Sequence, residues 1–155
     1  MTIATGEQAL ASDVLALITR QFFVPCFSGV GGAIYNGGYT IADALDAAII
    51  VFRVPNDFTT LTSVKIIIYP NSGGGSTLDW TAATTFGASG EAYNTHTDSQ
   101  TADGQALTNN QLLELDISAA FTGLLANDIV ILTFTADVWT GVLGAVILGL
   151  DIKYA

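Results

Sequence analysis

Basic residues are scarce in this chain: 4 Lys and Arg stand against 14 Asp and Glu, for a formal net charge of −10. So few cations cannot neutralise a phosphate backbone, which excludes nucleic acid as a partner. An anionic membrane surface is disfavoured for the same reason. Charge of either sign is thin, since charged residues make up 12% of the chain, about half the usual globular share. Hydrophobic residues nevertheless reach 50%, and disorder requires the opposite combination of low hydrophobicity and high charge.

Cysteine and histidine are nearly absent. Cys26 is the single cysteine, so neither an intrachain disulfide nor a multi-cysteine metal site can form. Its neighbours, Phe22-Phe23-Val24-Pro25 and Phe27, are apolar, and no adjacent cation lowers the thiol pKa. Cys26 therefore reads as a small buried hydrophobe. The single histidine, His96, and that cysteine together cannot supply the three protein ligands usual for a catalytic zinc. No G-x-S-x-G accompanies His96, which reads as an exposed strand or loop residue. No cofactor is expected.

Long apolar runs are missing too. The longest, Val142 to Leu150, is interrupted by Gly144 and Gly149 and stops at Asp151, well short of the roughly 20 residues of a spanning helix. The opening MTIATGEQAL has no basic residue ahead of an apolar run, so it does not read as a secretory signal. The expectation is one soluble domain, long enough for a proper core. With so little charge to solvate its surface, the chain also reads as a subunit that buries more than one face, a homo-oligomer.

What is present is mostly strand. Only Ala11 to Gln21 reads as helix, with Ser12 as cap, Asp13 in the first turn, and Arg20 in the last. Leu10, Val14, Leu15, Leu17 and Ile18 give this arm and helix an apolar stripe for contact with other subunits or a partner protein. The expected boundaries are an N-terminal arm and helix over 1–21 and a β-domain over 22–155. In the β-domain, Phe23 to Phe27 is a short strand in which Pro25 suggests an edge. Ser28 to Tyr39 reads as a glycine-rich loop, and Ile41 to Ala48 as either a helical turn or a strand lead-in. Ala48 to Val54 and Ser63 to Tyr69 alternate as strands. Ser76 to Leu107 is rich in Thr, Ser, Gly and Asp, with weak strands near Leu78 to Ala82 and Ala92 to Thr97. Leu113 to Ile117 alternates, and Ile129 to Phe134 reads as buried on both faces. Ser118 to Ala126 is a crossover with a helical turn. Gly141 to Tyr154 closes the domain, with Val146, Leu148, Leu150, Ile152 and Tyr154 on one face. Seven or eight short strands with Gly, Asn and Asp turns predict an antiparallel β-sandwich of jelly-roll type.

No constellation points to an enzyme. Asp98 to Gly104 offers oxygens but lacks EF-hand spacing, so a solvated loop is favoured over a calcium site. Glu114 and Asp116 share one strand face; a solvent-facing alternation explains them more simply than a glycosidase pair. Gly73-Gly74-Gly75 lacks the lysine of a phosphate loop and precedes no helix. The aromatics Tyr35, Tyr39, Trp80, Phe86, Tyr93 and Trp139 lie in or beside Gly- and Thr-rich segments. Such rings either anchor interfaces or stack on sugars, and Trp80, Tyr93 and Trp139 are the candidate glycan platforms.

The opening Thr5 to Leu15 resembles the arm and short helix that lead into domains of phage fibres, spikes and decoration proteins. The segments Glu114 to Ser118, Asn127 to Val130 and Leu148 to Tyr154 resemble the closing strands of the small jelly-roll structural proteins of tailed phages and related viruses. That resemblance implies a homotrimer on the virion surface, held to another virion protein through its N-terminal arm, and it carries over no functional residues. The leading expectation is therefore a structural virion protein. The alternative is a carbohydrate-binding module or glycan-binding receptor head.

Overall fold

The computed structural model describes residues 19–71, 76–140 and 144–155. The strands are β1 (Arg20–Pro25), β2 (Ser28–Val30), β3 (Ala33–Tyr35), β4 (Gly38–Ile41), β5 (Ala47–Arg53), β6 (Leu61–Pro70), β7 (Ser76–Gly87), β8 (His96–Leu107), β9 (Leu113–Asp116), β10 (Ile129–Thr140) and β11 (Ala145–Tyr154). A 3-10 turn at Ser118–Phe121 is the only helical element among the described residues. Every strand pairing is antiparallel. One sheet runs β3-β4-β11-β6-β9, with β1 also on β11, and the other runs β2-β5-β10-β7-β8. The protein is an all-β sandwich of jelly-roll type.

Period-two alternation makes the two layers. In the five-stranded sheet Ala48, Ile50 and Phe52 of β5, Val130, Leu132 and Phe134 of β10, and Leu78, Trp80, Ala82 and Phe86 of β7 point inward. Val64, Ile66 and Ile68 of β6 and Ile147, Leu150 and Ile152 of β11 meet them from the six-stranded sheet. Each large side chain so buried contributes about 1.5–3 kcal/mol, and this core holds the sheets face to face.

β11 has three partners. β6 lines one side along its length, while β4 pairs with Ala145 to Ile147 and β1 with Gly149 to Tyr154 on the other. Between those two partners the ladder slips by one residue, at Leu148. Gly149 there has φ +153°, and a Cβ on it would run into the Val24 carbonyl. The slip changes the phase of the strand. Val146 and Leu148 were expected to share one face with Leu150, Ile152 and Tyr154. Instead Ala145 and Ile147 join those three in the core cluster, Val146 is buried outside that cluster, and Leu148 is only half-buried.

Other expectations also change. Arg20 and Gln21, expected to close a helix, open β1; residues 1–18 lie outside the described residues. Ser28 to Tyr39 is not a loop but β2, β3 and the start of β4. Its glycines allow close approach: a side chain at Gly29 would meet the Tyr39 ring and the Ala47 carbonyl. Asp98 to Gly104, expected as a loop, lies within the 12-residue β8. Ile129 to Phe134 is buried on one face only, and Ile129 is 43% exposed on the other.

Candidate functional site

The outer face of the five-stranded sheet forms a grid that register defines. Val51, Ile131, Thr85 and Thr97 stand in one row across β5, β10, β7 and β8. Ile49, Thr133, Ala83 and Ser99 form the next, and Ala47, Thr135, Thr81 and Thr101 the third. Adjacent strands lie about 4.8 Å apart, so a row spans about 14 Å. No grid position carries a charge. The half on β5 and β10 is largely aliphatic, and the half on β7 and β8 is largely hydroxyl.

Acids frame this field. Past the third row, β10 bulges between Ala136 and Val138, and Asp137 accepts a hydrogen bond from Thr81 Oγ1 at 2.6 Å. Past the first row, the loop between β7 and β8 carries Glu91, whose Oε2 accepts from the Ala88 N–H at 2.9 Å. The Glu91 N–H donates in turn to the Ala88 carbonyl at 3.1 Å. Thr95 closes the same loop by donating its N–H and Oγ1 to the Ala92 carbonyl at 3.0 and 2.8 Å. These bonds fix the loop that presents Tyr93.

Tyr93 is 70% exposed. With Ile129, Ile131, Gly87 and Glu91 it lines a depression of about 230 Å³. A second depression, about 410 Å³ and more open, is lined by Ala83, Thr84, Thr85, Thr97, Asp98 and Ser99. The two lie on either side of the Ile131–Thr85 pair. Asp98 turns its carboxylate away from the grid: Oδ2 accepts from the Thr122 N–H at 2.9 Å and Oδ1 from the Ser99 N–H at 2.8 Å. Partial desolvation works to raise its pKa, but those bonds outweigh it and hold the carboxyl below the ordinary aspartate value of 3.8.

Among the described residues the remaining groups do not assemble a reaction centre. Glu114 and Asp116 lie on the outer face of the other sheet. Lys65 Nζ donates to Glu114 Oε2 at 2.7 Å, which holds Glu114 below the usual glutamate range. Ser118 Oγ and N–H donate to Asp116 Oδ1 at 2.6 and 2.9 Å and hold it low as well. Two carboxylates both biased toward the charged form supply no general acid. His96 is exposed and stacks on Phe86 with 5.4 Å between ring centroids. Cys26 is buried, and its thiol is pushed up by desolvation. No cluster of three metal-ligating side chains occurs among the described residues. A depression of about 380 Å³ at one end of the sandwich is lined by Phe58, Thr59, Leu61, Ser118, Phe121 and Thr122, among others. Several of its hydroxyls are already committed: Thr59 Oγ1 donates to the Ala155 carbonyl at 2.5 Å and Ser118 Oγ to Asp116.

The three aromatic candidates separate. Tyr93 stands at the edge of the grid with its ring open. Trp80 does not serve as a platform: it is 3% exposed and stacks on Phe134 at 5.4 Å inside the core. The inward register of β7 places it there, because Leu78, Trp80 and Ala82 alternate with Thr81 and Ala83 on the outer face. Trp139 pairs with Leu78 in the ladder, and its side chain lies outside the described residues. Leu10, Val14, Leu15, Leu17 and Ile18, expected to contact other subunits or a particle, also lie outside them. Sequence reasoning missed the threonine columns and the open outer face of β10. Thr81 and Thr85, set between the inward Trp80, Ala82 and Phe86, were the available signal.

No protein-family profile matches the chain, and no curated protein does. Solved structures do share its fold. A xylan-binding module, CBM15, is 15% identical with a TM-score of 0.51, covering 88% of this chain and 90% of that one. Xylanase10C from Cellvibrio japonicus, in complex with xylopentaose, is 14% identical with the same TM-score. That match covers 88% of this chain and 27% of the xylanase. The expectation of a structural virion protein is corrected here. One of these neighbours of like fold is a xylan-binding module and the other a xylanase, and the phage resemblance gains no support from them.

Proposed function

We propose that the protein binds a glycan on the outer face of its five-stranded sheet and acts by binding rather than catalysis. The observation that carries this reading is Tyr93, an open aromatic ring beside a depression on an uncharged field of aliphatic and hydroxyl side chains. A sugar ring presents an apolar face and a rim of hydroxyls. Tyr93, Ile129 and Ile131 suit the first, and Thr85, Thr97 and Ser99 suit the second. A jelly-roll fold shared with a xylan-binding module is in keeping with that use.

The test is retention of the full chain on immobilised soluble and insoluble polysaccharides, followed by titration of whichever ligand retains it. Tyr93→Ala is expected to weaken binding about tenfold with an unchanged circular dichroism spectrum. Failure of every polysaccharide to retain the chain, or wild-type affinity in Tyr93→Ala, would overturn the reading.

A further inference from the structure

We infer that this face selects uncharged glycan chains and rejects those bearing carboxylates; the inference rests on the glycan-binding reading above and specifies its ligand. The whole chain carries a net charge of −10, so its field opposes any polyanion approaching from solution. Within the grid nothing offsets that field, since the three rows from Val51 to Thr101 contain neither Lys nor Arg. The framing groups add to it. Glu91 stands in the wall of the depression that Tyr93 lines, and Asp137 stands at the bulge beyond Thr81.

Three of the four cations are placed where they do not compensate, and the fourth, Arg53 on β5, pairs in register with Ile129 one row beyond Val51. Arg20 is bound to Asp57 and Lys65 to Glu114. Lys153 lies on β11 in the other sheet. A uronic acid seated on the grid would find hydroxyls, aliphatic side chains and the nearby carboxylates of Glu91 and Asp137. It would lose its hydration with only Arg53 near one edge to replace it. A neutral chain loses nothing comparable, because its hydroxyls exchange water for threonine and serine.

The test is affinity electrophoresis of the full chain through gels holding either a neutral mixed-linkage glucan or xylan, or polygalacturonate, at low and high ionic strength. Retardation by a neutral chain is expected to be nearly independent of salt. Polygalacturonate is expected to bind about tenfold or more weakly at low salt, with part of that gap closing at high salt as the repulsion is screened. The double variant Glu91→Gln, Asp137→Asn keeps an acceptor oxygen at each position and is expected to narrow the ratio of neutral to polygalacturonate affinity several-fold, by strengthening polygalacturonate binding. Polygalacturonate binding as tightly as the neutral chain at low salt overturns the selectivity and leaves the glycan-binding reading standing. A gap that the double variant leaves unaltered overturns the assigned role of the framing acids. Retardation by neither class overturns both.

Discussion

Thr85 and Ile131 stand side by side across the β7–β10 pair on the outer face of the five-stranded sheet, so a hydroxyl and a butyl group share one spot. The seam between the aliphatic and hydroxyl halves of the grid runs through them, and the two depressions flank it. Thr85→Val removes the hydroxyl at nearly constant shape. Loss of one hydrogen bond to a ligand corresponds to about 0.5–1.5 kcal/mol, a several-fold drop in affinity by calorimetric titration. Folding stability is expected to move by no more than about 0.5 kcal/mol, as for other surface changes. A large stability loss would place Thr85 in the architecture instead.

Trp80 gives the opposite expectation. It is buried against Phe134, and its Nε1 has no hydrogen-bond partner. Trp80→Ala removes an aromatic from a packed core and is expected to cost about 3–5 kcal/mol. Trp80→Phe keeps most of the ring and eliminates the unpartnered N–H, so its cost is expected to stay under about 1.5 kcal/mol. Urea denaturation midpoints measure both. The folded Trp80→Phe protein is expected to bind ligand like the wild type, since the ring at this position faces the core.

Asp98 ties β8 to the turn between β9 and β10 through the Thr122 N–H. Its folded pKa lies below the ordinary value of 3.8. A depressed carboxylate contributes stability that is fully present above its unfolded pKa and is lost as pH falls through the folded one. The difference in Tm between wild type and Asp98→Asn is therefore expected to be largest near neutrality. It should shrink as the pH falls below the ordinary aspartate value of 3.8 and through the lower folded one. A difference that grows on acidification would reverse the sign of the linkage.

The strands that the sequence displayed plainly are those whose inward residues are aliphatic and whose outward residues are not. β6 and β9 are clear because Val64, Ile66 and Ile68, and Leu115 with Ile117, alternate with polar or half-exposed neighbours. β8 was hidden because its sequence, His96 to Leu107, is nearly all polar. Its inner side meets the 3-10 turn rather than the centre of the core, and there Gln100 accepts from the Ala119 N–H at 3.1 Å and donates to the Asp116 carbonyl at 2.9 Å. The bulge at Leu148 was equally hidden, since a one-residue slip leaves the apolar pattern looking continuous and only Gly149 marks it. For the site, Tyr93 could be singled out from its Asn- and Thr-rich setting. The grid could not, because it exists only after register brings β5, β10, β7 and β8 together.

Both sheets are centred on β10 and β11, which follow all the other described strands in the sequence. β10 lies between β5 and β7, and β11 between β6 and the end-to-end pair of β1 and β4. During synthesis the first nine strands emerge with the positions between their eventual partners still vacant. Arg20 waits for Tyr154 before the first strand has a neighbour. Loop closure across such separations is slow, and exposed strand edges in the interval invite pairing between chains. The ribosome must release almost the whole domain before either layer can close.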